Sequence, residues 1–409
     1  MDMQSVSAEL EHRKERRNAT GLVGRMLVRK LAAFDRGRIV FELPDGQVAA
    51  SPGLRSGVTA HISVHRWRAL FRLLVEGDVG LAAGWIDGDW TTEDLPAVLA
   101  FGLENADALS ESLSGSRIAI IADRLRHGLR RNSRRGSKRN IAAHYDLGND
   151  FYRHWLDNGM QYSSALYTGA DDGLAEAQQR KLERIAEMMA LGGGEEVLEV
   201  GCGWGAVAEH LAAKHGCQVT GITLSKEQAT FARQRLASAG HAGRTEIELR
   251  DYRAVEGTYD RIVSIEMFEA VGEAYWPVYF DALARALRPE GNAVLQVITI
   301  DEKYFDHYRR RPDFIQKYIF PGGMLPSKTR LYDEAEKAGF SIAEKHLFGE
   351  SYAQTLDAWR HAFEKNWREI QRLGFDEQFR RMWEYYLHYC AMGFRYGSID
   401  VGLYKLVRR

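Results

Sequence analysis

The sequence predicts an α/β protein with a doubly wound parallel sheet, preceded by a smaller α+β domain. Three observations carry this expectation. From about residue 176 onward, apolar strand-like runs alternate with helical patterns, the order that builds a parallel sheet covered on both faces. One run, Val197-Leu198-Glu199-Val200, stops at Gly201, Gly203 and Gly205 and hands over to a helix beginning near Ala206. Ahead of both, Asp45-Gly46 separates two extended runs, a strong hairpin signal.

The elements follow in order. Residues 1–20 read as a disordered arm, and 21–123 as the smaller domain. In that domain, strands at 38–43 and 47–50 flank the Asp45-Gly46 turn, and a further strand covers 60–64. A helix is expected over 65–76, where Trp67, Leu70, Phe71 and Leu74 fall at helical spacing. The stretch 84–90 reads as a tight turn presenting Trp85 and Trp90, either to the core or to a membrane. A basic linker spans 124–139, and one catalytic domain spans 140–409. Within it, helices are expected at 176–191, 226–239 (with Ser225 as N-cap) and 275–287. Strands are expected at 218–223, 246–250, 261–266, 292–300, 341–347 and 401–407, with a helical insertion rich in Trp, Tyr and Phe between the last two.

Composition narrows the class. A chain of 409 residues suggests two or three domains, and 45% hydrophobic with 27% charged residues is ordinary for a globular protein. No run approaches the roughly 20 apolar residues that span a bilayer, and residues 1–17 lack a signal-peptide core. Cys202, Cys217 and Cys390 show no metal-ligand spacing, and an odd number argues against a disulfide framework, so no metal and a cytoplasmic location are expected. The net charge of −1 conceals the linker, which carries eight Arg or Lys and no acid. Such a segment is either a solvated connection or an attraction to anionic lipid. Nucleic acid is disfavoured because the segment lacks interleaved aromatics for stacking.

The glycine turn carries the chemistry. Glycines there let the backbone approach a ligand closely, and the helix N-terminus behind them favours an anionic group. The spacing is G-x-G-x-G rather than the G-x-G-x-x-G of dinucleotide folds, which points to S-adenosylmethionine.

Further runs are more specific. Asn140-Ile141-Ala142-Ala143-His144-Tyr145-Asp146-Leu147-Gly148-Asn149-Asp150, Met160-Gln161-Tyr162-Ser163 and Val200-Gly201-Cys202-Gly203-Trp204-Gly205 resemble the cyclopropane-fatty-acid synthase family. So do the runs from Gly221 to Gln228, Met267-Phe268-Glu269, Lys317 to Gly323 and Leu325-Pro326-Ser327. The resemblance covers roughly residues 75–409 in matching order. It implies a class I methyltransferase fold with helical lipid-binding insertions. The implied reaction moves the methyl of S-adenosylmethionine to a cis double bond in a phospholipid acyl chain. By the same resemblance, Gly201, Gly203 and Gly205 line the methionine and ribose, and Tyr162 and Ser163 hold the amino-acid end. Thr223, Leu224 and Gln228 meet the ribose and adenine, and Asp251 with Tyr252 flanks the adenine edge. An alkene is a weak nucleophile, so the methyl must be held in line with it in a dry site. The cation left on the chain suits the aromatic residues of the C-terminal third.

The chain departs from the family at one place. In the resembled enzymes, bicarbonate removes the proton that allows ring closure, bound by a cysteine, a glutamate, a histidine, an isoleucine backbone and a tyrosine. Glu269, Ile298 and Tyr352 keep three of these positions, but Ser164 replaces the cysteine and Gln296 the histidine. An amide is neutral and is no proton acceptor at neutral pH, so bicarbonate binding is expected to weaken. Loss of a proton from the adjacent chain carbon then yields a methyl-branched, unsaturated chain. Glu266, in Ser-Ile-Glu-Met-Phe-Glu-Ala-Val-Gly, adds a carboxylate that serves either in the reaction or as a structural partner. The resemblance further implies a peripheral enzyme at the inner face of the membrane and admits a homodimer. Ring formation, a small polar acceptor and a non-catalytic lipid- or S-adenosylmethionine-binding protein are the competing readings.

Overall fold

The computed structural model describes residues 22–112, 147–169 and 172–409. The N-terminal arm, the basic linker and the Asn140–Asp146 part of the first family run lie outside the described residues. Two compact units emerge, the second interrupted by residues 375–396, which cluster with the first.

In the first unit, β1 (Arg36–Glu42) and β2 (Val48–Ala50) pair antiparallel around the expected Asp-Gly turn, where Gly46 sits at φ 79°. β3 (Arg55–Val64) pairs parallel to β1, and β4 (Trp90–Thr91) closes a sheet of order β2-β1-β3-β4. Alternate β1 residues, among them Ile39 and Phe41, point into the core. The expected turn at 84–90 begins inside the helix Asp78–Ile86. Its two tryptophans are core residues. Trp85 and Trp90 are buried with ring centroids 5.1 Å apart, and their indole N–H groups donate to the carbonyls of Arg381 and Leu81. An indole with its one donor satisfied inside protein is at home in a core. Trp67 and Phe71 lie instead on the exposed side of the helix Arg68–Glu76, which buries Ala69, Leu70 and Leu73.

The assignment of every residue after 140 to one domain needs correction. The helix Glu377–Arg395 belongs to the first unit, where Arg381 stacks over Trp85 at 4.7 Å and returns a hydrogen bond to its carbonyl. Its Trp383, Tyr385 and Tyr386 are buried.

The second unit holds a seven-stranded sheet. In chain order its strands are β5 (Glu196–Val200), β6 (Gln218–Thr223), β7 (Thr245–Leu249), β8 (Tyr259–Ile265), β9 (Leu287–Ile300), β10 (Phe340–Leu347) and β11 (Ile399–Arg408). Their spatial order is β10-β11-β9-β8-β5-β6-β7. The sheet is parallel except for β11, which runs antiparallel to both β9 and β10. The strands expected at 341–347 and 401–407 complete this sheet. The last strand inserts between its neighbours with Val401, Leu403, Tyr404 and Leu406 buried, and apolar periodicity does not encode strand direction. The chain order reverses between β5 and β8, so the carboxyl ends of these strands and their neighbours are where such sheets bind ligands. Beneath them, Leu198, Val200, Ile262, Phe268, Trp276, Phe280 and Leu295 form the core that fixes the strand ends.

Candidate active site

The first part of the site is backbone. After β5 the chain turns through Gly201 (φ 85°), Gly203 (φ 50°) and Gly205 (φ 84°) before the helix Ala206–His215. The amides of Gly201 and Cys202 both donate to the carbonyl of Ile222, tying the turn to β6. A Cβ on Gly201 would stand 2.9 Å from Cγ of Met267, whereas one on Gly203 would meet nothing within 4 Å. The turn is therefore closed on its protein side and open at Gly203. At the end of β6, the Thr223 hydroxyl donates to the Gln228 side-chain oxygen at 3.0 Å, and the Ser225 hydroxyl caps the helix Lys226–Ser238 at the Gln228 amide, as expected. Thr223 and Gln228 are buried and Leu224 is half-buried. Beyond β7, Asp251 caps the turn at Tyr252–Ala254, and its carboxylate accepts from the Arg253 guanidinium at 2.8 and 2.6 Å. Burial pushes the Tyr252 phenol up to about 12.

Tyr162 sits among aromatic rings. Its neighbours are Tyr152, Trp155, Trp359 and Phe320, with centroids 5.3 to 6.3 Å away. Ser163 is held from the helix Leu174–Met189: Gln178 donates to its carbonyl at 2.9 Å, and the Lys181 ammonium donates to its hydroxyl at 2.7 Å. Glu199, inside the glycine motif, is buried with one carboxyl oxygen unpartnered, and desolvation raises its pKa to about 8.

The second part is a carboxylate centre drawn together from four separate segments. Glu266 follows β8 in the left-handed region at φ 48°, a strained conformation for a residue with a Cβ. Its amide donates to the Gln296 carbonyl on β9. One carboxylate oxygen accepts from the Ser164 amide at 2.9 Å and from the Gln296 side-chain amide at 2.7 Å; the other accepts from the Tyr352 hydroxyl at 2.6 Å. Ser164 and Gln296 are fully buried, and the Ser164 hydroxyl donates away, to the Ala165 carbonyl. Tyr352 comes from the helix Gly349–Lys365, which also positions the 163–167 segment through Thr355 and Ser351. One turn of chain after Glu266, a Glu269 oxygen accepts from the Ile298 amide at 2.5 Å, and its other oxygen is buried without a partner.

The electrostatics separate the two carboxyls. Glu269 has a pKa raised to about 8, first by burial and then by the charge of Glu266, so it is largely protonated at neutral pH. Burial also raises Glu266, but Tyr352, Ser164, Lys181 and Gln296 all favour its ionised form. All three donors to Glu266 suit a carboxylate that accepts, as the ionised form does.

Ser164, Glu266, Gln296 and Tyr352 are brought into direct contact, and Glu269 and Ile298 are joined beside them. Tyr152 joins the first part, its ring 5.0 Å from Trp204 in the glycine turn and 5.5 Å from Tyr162, while Asp251 pairs with Arg253. Reasoning from sequence missed Glu199, Gln178 and Lys181. The last two, three residues apart on an amphipathic helix, were polar residues on its buried face, a signal that burial alone exposes. Among the described residues no group of three or more His, Cys, Asp or Glu is placed to hold a metal ion.

Comparison with known proteins agrees with this geometry. A family model described as mycolic acid cyclopropane synthetase matches residues 132–403. A tuberculostearic acid methyltransferase, UfaA1, of Mycobacterium tuberculosis is 38% identical over 95% of this chain and 92% of its own length. The cyclopropane-fatty-acyl-phospholipid synthase of Escherichia coli K12 is 37% identical over 82% of this chain and 84% of its own. Among solved structures, the cyclopropane synthase MmaA2 from Mycobacterium tuberculosis superposes with a TM-score of 0.62 at 32% identity, covering 66% of this chain and 98% of that one. The mycolic acid cyclopropane synthase CmaA1, solved with S-adenosylhomocysteine and CTAB, has the same TM-score at 33% identity, covering 66% and 97%.

Proposed function

We propose that this chain, which belongs to the mycolic acid cyclopropane synthetase family and is an S-adenosylmethionine-dependent methyltransferase, methylates the cis double bond of phospholipid acyl chains and releases a methyl-branched, unsaturated chain rather than a ring. The observation that carries the reading is the Glu266 carboxylate, held by Ser164, Gln296 and Tyr352. Those three positions belong to the set that the resemblance assigned to bicarbonate. With a protein carboxylate bound to them, a separate anion would have to compete with Glu266 for the same donors.

The residues fit the donor. Gly203 faces open space, Gly201 and Gly205 supply the required backbone, and Tyr152 links Trp204 of the turn to Tyr162. Bound at this turn, S-adenosylmethionine would supply an electrophilic methyl group. The alkene electron pair forms the new C–C bond as the S–C bond breaks, and the other olefinic carbon becomes cationic. The aromatic rings about Tyr162 exclude water and favour positive charge. Glu266, the carboxylate that accepts from three donors, takes a proton from a neighbouring carbon, and that C–H electron pair restores a double bond. Its raised pKa makes it a better base than an exposed carboxylate.

Retention of Glu269, Ile298 and Tyr352 supports ring formation as the second reading. One experiment separates them: purified enzyme, trideuteromethyl S-adenosylmethionine and dioleoyl phosphatidylglycerol vesicles, with products read by mass spectrometry and NMR. Three retained deuteriums with an olefinic proton are expected. Two deuteriums with cyclopropane resonances and a bicarbonate requirement would overturn the reading.

Peripheral action at the inner face of the membrane and a homodimer remain part of the proposal. Exposed Trp67 and Phe71 beside Arg66 and Arg68 support the former. Vesicle sedimentation of the Trp67→Ser/Phe71→Ser variant tests it, with loss of binding expected.

A further inference from the structure

We propose that Lys181 is a positioning residue for the anionic end of the methyl donor: it acts through the Ser163 hydroxyl, which it turns into a strong donor to a ligand carboxylate. This rests on the reading above, in which the donor's amino-acid end meets Tyr162 and Ser163, and assigns the charge that recognises it.

Lys181 is 1% exposed, on the face of the helix Leu174–Met189 that also carries Gln178. Its ammonium has three protons to give and, among the described residues, makes one hydrogen bond, to Oγ of Ser163 at 2.7 Å. Burying an ammonium this way is costly unless an anion compensates it. The two carboxylates whose charge it feels, Glu266 and Asp157, accept from other groups. Glu266 is taken by Ser164, Gln296 and Tyr352, and Asp157 by the Gly159 amide and the amide and side chain of Gln161. Neither lies within ion-pair distance of Lys181.

Ser163 shows where the missing anion belongs. Its hydroxyl oxygen accepts from Lys181, so its own proton is left to donate, and no described residue accepts it. Its carbonyl is fixed by Gln178, so the residue is held from two sides with one donor uncommitted beside Tyr162. A hydroxyl polarised by a buried cation complements a carboxylate, and charge-assisted bonds of this kind are the strong ones. A ligand without that carboxylate leaves the Lys181 charge uncompensated. Burial lowers the Lys181 pKa to about 8, consistent with a cation whose partner arrives with the ligand.

Calorimetry with two ligands tests this. S-adenosylhomocysteine carries the amino-acid end and 5′-methylthioadenosine lacks it. Lys181→Met should weaken S-adenosylhomocysteine roughly tenfold to a hundredfold and change methylthioadenosine by less than about twofold. Ser163→Ala should give a similar selective loss, and the double variant should lose no more than either single one. Lys181→Arg should restore part of the affinity. Methylthioadenosine binding also reports folding, and if Lys181→Met does not fold, Ser163→Ala decides the matter alone. Equal weakening of both ligands, or unchanged affinity for S-adenosylhomocysteine, overturns the proposal. Failure of the unaltered protein to bind S-adenosylhomocysteine would instead strike the underlying donor assignment.

Discussion

At the ends of β5 and β6 the site is made of backbone: three glycines in the left-handed region, two amides on one carbonyl and a capped helix. At the ends of β8 and β9 it is built around one side-chain carboxylate, which gathers donors from the Ser164 backbone amide and the Gln296 and Tyr352 side chains. The first kind of construction tolerates changes in neighbouring side chains but not a Cβ at the turn. The second places a charge to within a hydrogen bond and is sensitive to single atoms. Donor affinity should follow the first region and the fate of the cation the second. The comparison breaks if substitutions in one region alter the other's readout.

The largest effect is expected at Glu266. Glu266→Gln keeps the shape and removes the base, so kcat should fall by on the order of 10²–10⁴-fold while calorimetric affinity for S-adenosylhomocysteine is unchanged. A parallel loss of affinity would merge the two regions. Next comes Gly201→Ala. A Cβ at φ 85°, 2.9 Å from Met267, should cost about 1–2 kcal/mol of stability from the backbone conformation alone, and more from the clash. Donor affinity should drop at least about tenfold by the same calorimetry, without changing the product made. Tyr352→Phe removes one of three donors to Glu266. It should lower kcat about tenfold and leave donor binding intact, as expected for one hydrogen bond of about 1–2 kcal/mol to a charged group.

The smallest effect concerns stability. Glu269 has its pKa raised from 4.5 to about 8 on folding, so the native state binds more protons than the unfolded chain between those values. Its contribution is fully present below about pH 4.5, declines through that window and is lost as pH rises through about 8. Glu269→Gln, which cannot ionise, should therefore melt higher than the parent at pH 8.5 by a few degrees and show little difference at pH 5, while losing activity. A Tm difference independent of pH would remove the burial argument for this carboxyl.

Most of the strand and helix pattern was legible because each element satisfies local rules. β6 runs from Gln218 to Thr223, as its apolar run indicates, and Ser225 caps the next helix because a serine before a helical run accepts from its first turn. The glycine turn was legible for the same reason, since three glycines in five positions answer a backbone demand. Trp85 and Trp90 show the limit. Composition gave no preference between core and membrane, and only their packing against Arg381 and Leu81 decided it. The helix Glu377–Arg395 has the periodicity of any amphipathic helix, and nothing local says which unit it joins.

The residues alone thus determined the class of fold and the glycine turn, because each is a short-range property of the chain, whereas the proposed reactive groups came from resemblance to the family. Only the tertiary structure decided that Glu266 occupies the donors of Ser164, Gln296 and Tyr352, and that Lys181 lies buried against Ser163. Those contacts join positions 18 to 102 residues apart. Their energies depend on desolvation, which no residue experiences until the strands and helices around it have closed.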